Sequence, residues 1–168
     1  MSNWKINDVD IHERFGVLLK RGAYDEIFRT APTKSYLTED VREIEGERVV
    51  FFNPRSKARD VSIPIFIEAD DMADFFRKYD DFCRFLKEQP IKLELCRHNR
   101  IYTYYFKQCN SMTNHTKYHD DKIVVECVLL LREVNPNNIL TRVYLAQENE
   151  EYILTEDGYK IEILTNVG

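Results

Sequence analysis

Apolar and polar positions alternate over much of this chain, and the period lengthens to a helical one only near the middle. Within Arg59 to Ala69, Val61, Ile63, Ile65 and Ile67 recur every second residue, which predicts a strand with one buried face. Pro64 falls on the other face of that strand. It has no N–H for a ladder, so the expectation is an edge strand or a bulge. Lys122 to Arg132 has apolar residues at both parities, the pattern of a central strand covered on both sides. Ile91 to Cys96 and the Tyr/Phe-rich Ile101 to Lys107 flank the turn Arg97-His98-Asn99-Arg100 and read as a hairpin.

At the start, Trp4-Lys5-Ile6, the turn Asn7-Asp8, Val9-Asp10-Ile11 and the run Phe15 to Leu19 predict short strands. Tyr24 to Arg29 predicts one helical turn, with Tyr24, Ile27 and Phe28 at three- and four-residue spacing. Glu47 to Phe52 predicts another strand, after a long polar loop over Thr30 to Gly46. A second long polar loop is expected over Asn110 to Asp121.

One long helix is predicted over about 70–89. Met72, Phe75, Phe76, Tyr79, Phe82, Cys83 and Leu86 follow the three–four period, and Asp74, Arg77, Lys78, Asp81, Arg84 and Lys87 fill the other face. Asp70 or Asp71 supplies the N-cap, and Pro90 ends the helix. The aromatic stripe is expected to pack on the surrounding sheet.

After Asn135-Pro136-Asn137-Asn138 the chain changes character. Thr141 to Ala146, Glu151 to Thr155 and Tyr159 to Leu164 predict a meander of short strands, the last two joined at Glu156-Asp157-Gly158. A lone hairpin is marginal in water, so this appendage must pack on the body or on another subunit. The expected organisation is a body over 1–138 and an acidic hairpin extension over 139–168. The expected class is mainly β (α+β): an antiparallel β-sandwich or half-barrel flanked by the one long amphipathic helix, with a C-terminal β-meander.

Composition fits that class. The 168 residues are 43% hydrophobic and 32% charged, with ten Tyr, ten Phe and one Trp, enough to build a single core. No apolar stretch approaches the ~20 residues of a membrane span, so no membrane anchoring is expected. The first residues, Met1-Ser2-Asn3-Trp4-Lys5, lack the apolar core of a secretory signal, and the expectation is a soluble, non-secreted protein. The formal net charge is −5. Residues 147–168 hold six acids (Glu148, Glu150, Glu151, Glu156, Asp157 and Glu162) against Lys160, which accounts for the whole imbalance. Such a chain does not bind nucleic acid through its bulk field.

Candidate chemistry is sparse. Arg55, Lys57 and Arg59 form a basic cluster whose ordinary reading is a solvated loop, against a phosphate-contacting one. Cys83, Cys96, Cys109 and Cys127 are too widely spaced for a zinc or redox motif, which predicts buried reduced thiols. His115-Thr116-Lys117-Tyr118-His119-Asp120-Asp121 gathers two imidazoles and two carboxylates. Two His four apart could share a helix face and hold zinc, but the segment has no helical period, and Thr116 stands where a His-Glu-x-x-His motif needs its Glu. The expectation there is a solvated loop. No nucleophile elbow or Gly-rich phosphate loop is present, so no catalytic, cofactor or metal residue is assigned and no enzyme is expected.

The order of these elements resembles a family. Ile6-Asn7-Asp8-Val9-Asp10-Ile11, then Arg14-Phe15-Gly16-Val17-Leu18-Leu19 and Arg21-Gly22-Ala23-Tyr24-Asp25, is similar to the start of phage distal tail (Dit) proteins, with Asp8 in the place of a Gly. Arg59-Asp60-Val61-Ser62-Ile63-Pro64-Ile65, the aromatic helix, the strand Ile101-Tyr102-Thr103-Tyr104-Tyr105 and the close at Leu131 to Pro136 follow in the family's order. The likeness runs from Trp4 to Pro136. The acidic meander lies outside it, and there is no long C-terminal galectin-like domain, which fits a short Dit-like or tail-tube-like component.

The resemblance implies a structural protein of a phage or prophage tail. Six copies would form a ring around the DNA channel at the junction of tail tube and tail tip, with other tail proteins as partners. The location implied is the virion tail, after synthesis in the bacterial cytoplasm. Two other readings stay open at this point: a monomeric protein-binding module that uses the helix or the tyrosine strand, and a metal-dependent hydrolase that uses the His115–Asp121 loop.

Overall fold

The computed structural model describes residues 4–40, 45–46, 48–50, 53–88, 90–115, 122–144 and 162–166. The chain opens with a tight hairpin of β1 (Trp4–Ile6) and β2 (Val9–Asp10). Asn7 and Asp8 both take positive φ, the type I′ turn that matches strand twist. A five-residue helix follows, α1 (Ile11–Phe15), which takes the last residue of one predicted strand and the first of the next. Asp10 accepts hydrogen bonds from the amides of His12 and Glu13, and Gly16 closes the helix in the left-handed region. Ile11 and Phe15, four apart, are the two residues α1 buries.

Next come β3 (Val17–Leu19), α2 (Ala23–Phe28), and a separate two-stranded sheet of β4 (Leu37–Glu39) and β5 (Arg48–Val50). The strand expected over Glu47 to Phe52 is thus described for 48–50, and Glu47, Phe51 and Phe52 lie outside the described residues. β6 (Arg59–Ala69) has the predicted bounds. It leads into α3 (Met72–Glu88), β7 (Ile91–Leu95), β8 (Arg100–Asn114), β9 (Ile123–Glu133), β10 (Leu140–Tyr144) and β11 (Glu162–Asn166).

The main sheet runs β2-β1-β7-β8-β9-β6-β3, antiparallel at every pairing among the described residues, with β10 on the first residues of β8 and β11 on β10. It curls into a half-barrel. β8 is the hinge of that curl. Its first five residues pair with β7 and the rest with β9, with register shifts between Phe106 and Gln108 and between Asn110 and Met112. Residues 110–114 therefore belong to a strand and not to the expected polar loop. Their backbone is held by β9, which the sequence pattern does not report.

β9 is central, as its two apolar faces predicted. β6 lies inside the sheet and has no register shift, which corrects the expectation drawn from Pro64. The reason is local. Lys20 N donates to Pro64 O at 3.0 Å, so the backbone polar groups of Pro64 face the β3 side, and β3 ends one residue earlier, at Leu19. The missing N–H removes nothing from the β6–β9 ladder.

α3 crosses from the end of β6 to β7 over the strands between them, and its face buries Phe75, Phe82 and Leu86 with Tyr79 half-buried. Asp71 caps it, accepting from Asp74 N at 2.7 Å. Two residues of the predicted stripe are not inside: Met72 is 44% exposed and Phe76 51%. The core joins these side chains to Trp4, Ile6, Phe15 and Val17, to the odd-numbered residues 61–69 of β6 and 125–131 of β9, and to Tyr102 and Tyr104.

Candidate assembly surfaces

Two hairpins carry exposed apolar side chains. On β4–β5, Leu37 is 68% exposed, and Tyr36 and Val50 are exposed beside it. Its base is stitched by backbone hydrogen bonds from Lys34 to Arg55 and from Lys57 to Pro32. The basic cluster is split by this stitching. Arg55 and Lys57 are exposed, whereas Arg59 turns inward. The solvated-loop reading therefore does not hold for Arg59: it pairs with Glu133 and donates to the carbonyls of Ile27 (2.8 Å) and Arg29, closing the C-terminal end of α2.

The second hairpin, β10–β11, exposes Val143, Ile163 and Leu164. The sequence predicted that the second and third segments of the meander would pair. In the structure 140–144 pairs with 162–166, while Glu151–Thr155 and the Glu156-Asp157-Gly158 turn lie outside the described residues. Arg142 fastens this hairpin to the body. Its guanidinium reaches Glu94 on β7 at 3.1 Å, Glu162 on β11 at 2.9 Å and Asp8 in the first turn at 3.4 Å.

The outer face of the β8–β9–β6 sheet carries paired charge. At one end Asp60 takes Arg132 at 3.0 Å and Lys107 at 3.1 Å, whose hydrogen bonds hold its carboxyl below the usual range. At the other end Glu126 takes Lys20 at 2.6 Å and His115 at 2.8 Å and is lowered for the same reason. Phe66 lies under this group, with the His115 ring edge-on and the Lys20 ammonium 5.7 Å from its centroid. His115 is thus engaged by Glu126. His119, Asp120 and Asp121 lie outside the described residues.

Cys109 and Cys127 face the core, where Tyr79 and Cys83 of α3 meet them. The hydrogen bond from Cys127, with another from Tyr79, lowers the Cys109 thiol. The same bond, and burial, push Cys127 up. Among the described residues no group of three or more His, Cys, Asp or Glu is arranged to hold a metal ion.

A cleft of about 330 Å³ lies between α1 and α3. Phe15 and Phe85 line it together with Arg14, Arg77, Lys78 and Arg84, against the two carboxylates Asp81 and Glu88. The Arg14 guanidinium lies over both rings, 5.0 Å from the Phe15 centroid and 5.3 Å from that of Phe85. Arg77 and Lys78 pair with Asp74 and Arg84 with Asp81, while Arg14 has no carboxylate partner among the described residues.

The sequence reading missed Arg142, Glu94 and the Arg59–Glu133 pair. One signal for the last existed. Arg59-Asp60 and Arg132-Glu133 share one order, cation then acid, and antiparallel pairing therefore sets each cation against an acid, Arg59 opposite Glu133 inside and Asp60 opposite Arg132 outside.

No protein-family model matches the chain, and no curated protein matches it. Among solved structures it is similar to the Dit protein of phage SPP1, described as a paradigm of the hub adsorption apparatus in phages that infect Gram-positive bacteria. The TM-score is 0.61 at 11% identity, over 85% of this chain and 54% of that one. The chain spans about half the length of that protein. At this identity the likeness shows a Dit-like fold. Among the described residues no helix is long and apolar enough to cross a membrane.

Proposed function

We propose that this chain is a structural component of a phage or prophage tail that assembles with itself, as six copies, into a ring around the DNA channel at the junction of tail tube and tail tip. The observation that carries this reading is the Dit-like fold, found in a phage hub protein and covering 85% of the chain. The two hairpins with exposed apolar residues support it, since a closed ring needs heterologous contacts between unlike patches. The outer sheet face supports passage of DNA. Its cations Arg132, Lys107 and Lys20 are shared with Asp60 and Glu126, so that face offers little unpaired positive charge to displace phosphate counterions. The role is structural rather than catalytic, the body is residues 1–138, and 139–168 is an extension used in assembly. The partners are further copies and the neighbouring tube and tip proteins, in the virion tail, after synthesis in the host cytoplasm.

Native mass spectrometry over a concentration series, with metal content read from the same spectra, tests this. A discrete closed oligomer without metal is the expected result. A monomer at every concentration overturns the ring, and a monomer with one zinc per chain redirects attention to the His115–Asp121 loop.

A further inference from the structure

We infer that the cleft between α1 and α3 receives the acidic segment 145–161 of a second copy, an inference that rests on the ring reading and names its contact. Tyr144 and Glu162 are paired on one rung of β10–β11, so the seventeen residues between them leave and return at the same point. Such an arm reaches up to roughly 28 Å beyond its root. It carries Glu148, Glu150, Glu151, Glu156 and Asp157 against Lys160, in a chain whose whole net charge is −5.

The cleft is its complement. Four cations and two carboxylates line it over an aromatic floor, and Arg14 stands over Phe15 and Phe85 with no acid of its own among the described residues. A carboxylate arriving there meets a guanidinium already held against two rings, so the side chain has less freedom left to lose. Arm and cleft are unlike patches on one chain. Contact between them runs head to tail around a ring, the geometry that closes, and complementary charge also fixes register.

The test uses the full chain. Equal amounts of ¹⁴N and ¹⁵N protein are mixed where native mass spectrometry gives the ring, and then treated with a carbodiimide, which joins a lysine amine to a carboxylate. The expected product links Lys78 to the tryptic peptide 143–160 in mixed-isotope pairs. A ring without that product, or with it only in single-isotope pairs, overturns the docking and leaves the ring reading standing. A chain that never leaves the monomer overturns both. Charge reversal gives a second readout. Arg14→Glu with Arg84→Glu raises the concentration needed for assembly about tenfold, as does Glu148→Lys with Glu150→Lys and Glu151→Lys. An equimolar mixture of the two variants restores assembly, because every arm then meets a cleft of opposite sign. Failure of the mixture to assemble, with both variants folded by circular dichroism, also overturns the docking.

Discussion

Arg142, on the first strand of the C-terminal hairpin, reaches Glu94 on β7 at 3.1 Å, with side chains 16% and 10% exposed. Glu94 sits on the outer face of the sheet beside Ile101, which is itself buried, and its carboxylate depends on that guanidinium. Arg142→Ala leaves a nearly buried carboxylate without its ion pair and releases Glu162 of β11 from β10. The expected loss is about 2 kcal/mol or more in urea unfolding. Trypsin should then cut first at the C-terminal hairpin, while the body persists.

Arg59 and Glu133 form the more deeply buried pair, 10% and 3% exposed, and their two removals should not be equivalent. Arg59→Met strands the Glu133 carboxylate and also the α2 carbonyls of Ile27 and Arg29. It should cost about 3–5 kcal/mol. Glu133→Gln leaves those carbonyl bonds in place and should cost clearly less. Arg59→Met with Glu133→Gln should recover part of the loss, because no charge then remains buried. Urea midpoints for the three variants close a double-mutant cycle, and equal losses for the two single variants would contradict the anchoring of α2.

Elements whose period is set by their own side chains were legible in the sequence. The bounds of β6 follow from Val61, Ile63, Ile65 and Ile67, and those of α3 from its aromatic stripe and Pro90. Elements set by a neighbour were not. The polar end of β8 is a strand because β9 pairs with it, and Pro64 is tolerated within the sheet because β3 stops at Leu19. The helix α1 was written in its ends, Asp10 and Gly16, while Val9 and Ile11 on either side of Asp10 mimic a strand. Of the candidate surfaces, the acidic arm could be read as a charge excess. The cleft that complements it could not, since Arg14 and Arg84 are brought together only by the packing of α1 on α3.

Acid should weaken this fold through identifiable carboxylates. Hydrogen bonds from Lys78 and then Arg77, with a third from Asp70 N, pull the carboxyl of Asp74 down to about 2. Its unfolded value is near 4. A depressed carboxylate contributes stability that is present above about pH 4 and lost as the pH falls through about 2. Asp60 and Glu126 are lowered too and act in the same direction. Asp74→Asn should melt lower than the parent at pH 7 and converge with it toward pH 2. Melting curves at half-unit pH steps check this, and a gap that does not shrink on acidification would contradict it.

Gly16 and Gly22 offer a paired test of steric crowding against backbone strain. Both take positive φ, +67° and +94°, so an L side chain at either costs about 1 kcal/mol from conformation. They differ in what surrounds them. A Cβ at Gly22 meets nothing within 4 Å, whereas one at Gly16 comes within 2.5 Å of the Glu68 carbonyl oxygen. That oxygen cannot easily give way. Glu68 N donates to Gly16 O at 2.9 Å, and Lys78 on α3 donates to the Glu68 carbonyl at 3.1 Å, so the carbonyl is held from both sides. Gly16→Ala should therefore cost about 2 kcal/mol more than Gly22→Ala, the extra arising from separation of β3 and β6 where α3 also grips the strand. Urea unfolding of both variants at one pH measures the difference. Equal losses would mean that the seam between Gly16 and Glu68 relaxes freely, contrary to the hydrogen bonds that hold it.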